Sequence, residues 1–364
     1  MHRELSTIAP APLEERFRSV PEAFCGGIVV NSADSSHVLD VHEGPCVVRF
    51  SPRGQILVAG HIDGRLSAWS VGKNARFIGR AQSDESVLDV LFSPRLSVLV
   101  TRGPRRLCGW RVPDLERSFE IEAESDGGAV FSSDGWHVCV AAGRSLALQD
   151  LREKRVVCEG LLPTGNAVDV GTAPGGKLAV ASSEGGRTTL SLWLCEDGTL
   201  RQEGEAVLEG DSRTVSLSGD GRLLSVSAQH VRVLETPFFS GASRAECGGG
   251  PTERVLAGAI AGAGAVVFDS QRLVESKSNT VSRNGSRTRS WCRSVFSADG
   301  RLLVGGSPSG RIFLWDLVRR ASIRVLDGHE GEVTSVDMLH GQAMLSSCGA
   351  DGSIRLWDLK QTRR

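Results

Sequence analysis

Short apolar runs, each broken by a glycine-containing turn, recur along the chain. The first clear unit reads Val48-Arg49-Phe50-Ser51-Pro52-Arg53-Gly54, then Ile56-Leu57-Val58-Ala59-Gly60, then Asp63-Gly64-Arg65-Leu66-Ser67-Ala68-Trp69. Runs this short, bounded by turn residues, predict three strands joined by tight turns. Similar anchors return at Phe92-Ser93-Pro94 with Trp110, at Phe131-Ser132 with Asp134-Gly135, and at Thr172 to Gly176 with Trp193. Further units follow at Leu217-Ser218 with Asp220-Gly221, at Phe296-Ser297-Ala298-Asp299-Gly300 with Trp315, and at Val336 to Gly341 with Trp357.

The anchors Phe50, Phe92, Phe131, Thr172, Leu217, Phe296 and Met338 fall about forty residues apart, the period of an array of small sheets. One step is longer, since Leu217 and Phe296 are separated by nearly two periods. Inside it Val255 to Ile260, Ala265 to Phe268 and Arg272-Leu273-Val274 read as strands of an eighth, eroded unit. The competing reading is seven units and a long insertion; the spacing favours eight. Glu275 to Arg293 is polar and Ser-rich, with Lys277, Arg283, Arg287, Arg289 and Arg293 around the turn pair Asn284-Gly285, and predicts a solvated, mobile basic loop.

The last unit carries a resemblance. Leu326-Asp327-Gly328-His329, then Val333-Thr334-Ser335-Val336, then Ser353-Ile354-Arg355-Leu356-Trp357-Asp358 is similar to the WD-repeat family of β-propellers. The resemblance implies an all-β fold, a closed propeller of seven or eight four-stranded blades, and a structural hydrogen-bonded set at His329, Ser347, Asp351 and Trp357. Such groups suit each other, because an imidazole can meet a carboxylate while a hydroxyl serves the ring and the indole N–H. Outside the last unit the pattern decays. His42, Asp63 and Trp69 persist in the first unit, where Ala59 takes the Ser position, and the central units keep less.

The ends also predict closure. His37-Val38-Leu39-Asp40-Val41-His42 mirrors Ile323 to His329, which places an outer strand ahead of the first unit, while the last unit lacks one. Pairing the two would remove both open sheet edges. The domain reading is a flexible tail at 1–26 and a propeller at 27–364, with the basic loop near 275–293.

Composition narrows the role. The 364 residues are 40% hydrophobic and 23% charged, and 43 Gly beside 13 Pro suit many tight turns. A net charge of −1 gives no global attraction to nucleic acid or anionic lipid. Residues 1–24 lack the apolar core of a secretory signal and no run is long enough to span a membrane. Nine scattered cysteines without a C-x-x-C pair point to reduced, strand-packed thiols in cytoplasm or nucleus, with no metal site or cofactor.

Arg102-Gly103-Pro104-Arg105-Arg106 occupies a predicted turn, so three guanidinium groups on a rim are candidates to grip an acidic partner. The plainer reading is solvated surface, in a chain that takes nearly all its 42 basic residues as arginine. Arg283, Arg287 and Arg289 are candidates for partner contact through the basic loop. A nucleic-acid role for that loop has only Trp291 as a stacking residue, which argues against it. Arg319-Arg320-Ala321-Ser322 resembles a basophilic kinase site, yet it runs into an expected outer strand. Gln149-Asp150-Leu151-Arg152 resembles the W-D-x-R string of ubiquitin-ligase receptors, without its Trp. The resulting expectation is a non-enzymatic, monomeric scaffold that binds other proteins within a hetero-complex, with ligase receptor and nucleic-acid binder as the alternatives.

Overall fold

The computed structural model describes residues 35–39, 45–72, 75–95, 97–227, 231–236, 266–268, 292–318, 321–339 and 343–359. Within them every regular element is a strand. The strands pair antiparallel into seven four-stranded sheets, each a meander except where the chain ends meet. Blades 1 to 4 are 45–82, 89–122, 129–161 and 166–209. Blade 5 is 214–235 with Val266–Phe268, blade 6 is 295–327, and blade 7 is 333–358 with Ser35–Leu39. The first strand of each blade packs beside the first strand of the next, and that of blade 7 returns to that of blade 1. The blades therefore ring a central channel. First-to-second turns lie on one face of the disc, here the lower face, and second-to-third turns on the upper face.

The count is seven, not the eight that spacing favoured. The apolar run near Ala265 does not start a blade: Val266–Phe268 pairs with Val231–Glu235, matching Val231 with Phe268 and Val233 with Val266. It is the fourth strand of blade 5, reached after a long excursion. Lengthening a connection costs only about 0.6 kcal/mol per doubling, so residue spacing alone is a weak counter of blades. Val255 to Ile260 and Arg272 to Val274 lie outside the described residues.

The mirrored ends do close the ring. Ser35–Leu39 pairs antiparallel with Ile354–Asp358, placing Val38 opposite Arg355 and Leu39 opposite Ile354. A chain's first described strand thus completes its last blade.

Each sheet buries both faces, which is why its middle strands read as continuous apolar runs instead of alternating ones. In Ile56–His61, Leu57 and Ala59 pack toward blade 7 while Val58 packs toward blade 2. In His137–Ala142, Val138 and Val140 face blade 2 while Cys139 and Ala141 face blade 4. Fully buried Leu57, Leu99, Leu146, Leu178 and Leu303 anchor these interfaces. Burying each leucine contributes about 1.5–3 kcal/mol.

The third strand carries a recurring β-bulge against the fourth, immediately before Trp69, Trp110, Trp193 and Trp315. Blade 3 has the same bulge between Leu148 and Gln149, so Gln149 stands where those four blades place Trp. The repeat geometry persists where its signature residue has gone.

Removing residues 1–42 deletes the strand that covers Ile354–Asp358 and leaves the edge of Ile354–Asp358 unpaired. The 43–364 fragment is expected to aggregate in light scattering, whereas 25–364 keeps the closing strand and stays monomeric. A monomeric 43–364 fragment with an unchanged melting temperature would contradict closure by this pairing.

Candidate functional site

Three polar clusters stand out against the apolar blades. The first lies in blade 7. The Trp357 indole donates to Ser347 Oγ at 2.8 Å, and Ser347 Oγ lies 2.8 Å from His329 Nε2. His329 Nδ1 lies 3.0 and 3.2 Å from the two carboxylate oxygens of Asp351. Because an indole only donates, the chain of hydrogen bonds has one consistent direction. Trp357 N–H donates to Ser347, its hydroxyl donates to Nε2, and Nδ1–H donates to Asp351. That arrangement needs a neutral imidazole, and burial holds the His329 pKa below its ordinary value despite Asp351 beside it. Burial alone would raise the Asp351 carboxyl, but N–H groups of Glu330 and Ser353 and the imidazole outweigh it and hold it below the usual carboxylate range.

Gly349 makes room for this set. A Cβ there would sit 2.6 Å from His329 Nδ1 and 2.8 Å from Asp351 Oδ1. The Ser-His-Asp order resembles a nucleophilic triad, but Ser347 has 0% exposure and its hydroxyl is shared between indole and imidazole. A hydrolytic nucleophile must reach its substrate. Partial versions occur elsewhere: Trp110 donates to Thr101 Oγ1 and Trp193 to Ser191 Oγ, each at 2.9 Å.

The second cluster crosses the channel. Arg293 grips Asp169 side-on, with Nε 3.0 Å from Oδ2 and Nη2 bonded to Oδ1, while its Nη1 lies 3.6 Å from Asp89 Oδ2. Asp89 also meets Arg49 at 3.2 Å, and Arg49 donates to Ser335 Oγ at 2.9 Å. Asp169 accepts the Val215 N–H at 2.8 Å, and Asp337 accepts the Phe50 N–H at 2.7 Å. Blade 3 contributes space: a Cβ on Gly128, whose φ is +98°, would lie 2.6 Å from Asp169 Oδ1. Burial raises both carboxyls. At Asp89, Arg49 and Arg293 outweigh it and hold the pKa low, whereas at Asp169 burial prevails and the pKa lies above the ordinary value. Burial would lower the Arg293 pKa, yet Asp169 and Asp89 together raise it.

Arg293 was expected in a solvated loop and instead lies half-buried at the channel. Its charge is held there by two carboxylates, which is the condition for burying a guanidinium. Sequence reading overlooked a signal: a single charged residue between apolar ones on a first strand, as in Val48-Arg49-Phe50, Leu88-Asp89-Val90, Val168-Asp169-Val170 and Val336-Asp337-Met338.

The third cluster is the arginine turn of blade 2. It does lie between two strands, Val98–Arg102 and Arg106–Arg111, but its guanidinium groups do not form a common cationic grip. Arg102 donates to the Ser125 carbonyl at 2.8 Å. Arg106 pairs with Glu120 at 2.5 Å and approaches Glu85 at 3.9 Å. Arg105 is exposed, and its backbone N–H is held by Glu85. Arg283, Arg287 and Arg289 lie outside the described residues. Ser322 sits within a strand, opposite Trp315, where a phosphate would meet the ladder. Cys108, Cys139, Cys195, Cys292 and Cys348 are buried free thiols, and burial pushes Cys292 up to about 12, so it stays protonated at neutral pH.

Fold and polar clusters together define a seven-bladed β-propeller whose buried polar groups serve its own rigidity. The sequence matches the family described as WD domain, G-beta repeat over residues 33–70, 280–316 and 320–358, so the chain carries WD repeats. It is 32% identical over 78 residues to Pre-mRNA-processing factor 19 homolog 2 of Arabidopsis thaliana, covering 21% of this chain and 15% of that protein. It is 37% identical over 71 residues to Methylosome protein WDR77 of Xenopus laevis, covering 19% and 21%. Against U3 snoRNP-associated protein-like EMB2271 of Arabidopsis thaliana it is 36% identical over 62 residues, covering 17% and 13%. These matches span about a fifth or less of each relative.

Two variants test these clusters. Asp351→Ala leaves His329 and the Glu330 N–H without their acceptor and is expected to cost about 1–3 kcal/mol in denaturant unfolding at neutral pH. A folded pKa below the unfolded one adds stability above about 6.5 that is lost as pH falls, so wild type should lose stability below that pH more steeply than His329→Gln. Arg293→Ala strands two buried carboxylates and is expected to cost about 3–5 kcal/mol. Arg293→Met with Asp169→Asn should recover part of that loss.

Proposed function

We propose that this propeller is a non-enzymatic platform for protein–protein contacts within a multiprotein complex, located in nucleus or cytoplasm. The observation that carries the reading is the commitment of its triad-like residues to structure: Ser347, His329 and Asp351 are locked to Trp357 inside blade 7. The titratable groups facing the channel are paired to one another in the same way. A rigid disc with its buried chemistry spent on stability offers its surface for recognition. The relatives' names, referring to pre-mRNA processing, a methylosome and a small nucleolar ribonucleoprotein, favour membership of a large assembly and a nuclear setting. The domain reading, a tail at 1–26 and one propeller at 27–364, is part of this proposal.

Gentle affinity purification of the tagged full-length protein from its native cells, with mass spectrometry, is expected to recover a stable set of proteins. Comparison with a variant lacking 276–289 assigns or denies a share of that binding to Arg283, Arg287 and Arg289. Ubiquitin-ligase subunits in the set would assign the narrower receptor role, whereas recovery alone or with nucleic acid would overturn the platform.

A further inference from the structure

The channel is not filled evenly. Below the Arg293 crosslink it widens on the lower face into a cavity of about 530 Å³, within the range of built ligand pockets. Its wall comes from blades 1, 2, 3, 4 and 7 and is mainly apolar: Phe50, Phe92, Phe131 and Met338 from first strands, Pro94 and Pro174 from the turns. The polar groups at its inner end are engaged, since Arg49 holds Asp89 and Ser335 while Asp337 accepts the Phe50 N–H. A small polar ligand would thus find few groups to orient it, whereas bulky apolar side chains would find an aromatic-lined recess.

The rim supplies the sign of the partner. Arg53 and Arg95, both exposed, follow the lining residues Pro52 and Pro94 in the turns of blades 1 and 2. Arg152, in an outer turn of blade 3, lies 4.8 Å from the centroid of Trp136 and 3.6 Å from Asp150, so its charge is already met. Among the described residues, the acids of the inner turns on this face are already engaged. Asp134 is held by His137 Nδ1 at 2.6 Å and by the Trp136 N–H at 2.7 Å. Asp220 and Asp299 belong to blades 5 and 6, which do not line the cavity, and each accepts from a serine hydroxyl, at 2.6 and 2.5 Å. Glu116 and Glu153, in the outer turns, pair with Arg111 and Arg155. Asp114 and Asp197 also sit in outer turns, away from the mouth.

We infer that the lower mouth of the channel binds an acidic peptide segment of a partner protein, seating one or two bulky apolar side chains in the recess while flanking carboxylates meet Arg53 and Arg95. The inference rests on the platform reading and adds the site and the chemistry of the partner. Bidentate arginine–carboxylate contacts at the rim give direction and speed of association, and the buried apolar anchors give most of the affinity.

A displayed library of random dodecapeptides, panned on the full-length protein, tests it. Enriched peptides are expected to carry Leu, Ile, Phe or Trp among Asp and Glu. A fluorescent copy should bind at least tenfold more weakly to Thr172→Trp, which fills the recess from an exposed lining position, and to the Arg53→Glu/Arg95→Glu double variant, which leaves the recess intact. Melting temperatures confirm that each variant is folded. Failure to enrich, enrichment without that pattern, or undiminished binding by both variants overturns the inference. The two readings separate cleanly. Co-purifying proteins that all persist with Thr172→Trp keep the platform and overturn the mouth assignment. Acidic peptides that depend on the mouth, in a protein that co-purifies with none, keep the mouth and overturn the platform.

Discussion

A small sheet with two apolar faces cannot be left alone in water, and the rest of this structure follows from that constraint. Each blade hides both faces only by lying between two others, and seven apolar clusters fill the seven gaps between neighbours. An open row would leave two terminal faces exposed, whereas a ring leaves none. Closure is therefore a condition of stability for every blade, and it is made by Ser35–Leu39 on Ile354–Asp358. Blades that have lost the Trp or the hydrogen-bonded set still hold their geometry, because neighbours supply the burial that fixes them.

The ring creates a second constraint at its centre. Seven first strands converge on a narrow channel, where a side chain either reaches across to a partner or faces confined solvent. Arg49, Asp89, Asp169 and Arg293 resolve this by pairing opposite charges across blades 1, 2, 4 and 6. Buried ion pairs add little net stability compared with apolar filling, but a missing member leaves a stranded charge. Their effect is to penalise any arrangement in which those blades are out of register. Arg293 also fixes the start of blade 6 after the long excursion of blade 5, so the ring does not depend on the path taken between them.

How much of this was legible in the sequence depended on the range of the interaction. Local turn chemistry was plain, as in the Ser-x-x-Gly turns, where Ser51 O accepts the Gly54 N–H and Ser218 Oγ accepts the Leu223 N–H. The members of the His329 set were nameable because the resemblance to WD repeats implies them and all four lie within one repeat. The blade count was not, since a three-residue strand such as Val266–Phe268 carries no label saying which sheet it joins. The channel network was hidden for a related reason: Arg293 and Asp169 are paired by ring geometry across 124 positions of sequence. At the turn of Arg102 to Arg106, adjacency in sequence did not show that the arginines face different acids and carbonyls once the strands are formed.

The same network decides where recognition can occur. Charge paired across the channel occupies its interior with groups that already have partners, so a ligand entering there would have to displace Arg293 from two carboxylates. The lower mouth carries no such penalty. Its apolar wall is produced by the Phe and Pro residues of the repeat anchor itself, Phe50-Ser51-Pro52 and Phe92-Ser93-Pro94, which close each first strand before its turn. A motif selected for folding thus leaves, at one end of the ring, a concave apolar surface whose depth is set by the ion pairs above it. What distinguishes one such propeller from another is then the identity of the few side chains that border this surface. In blades 1 and 2 they are Arg53 and Arg95.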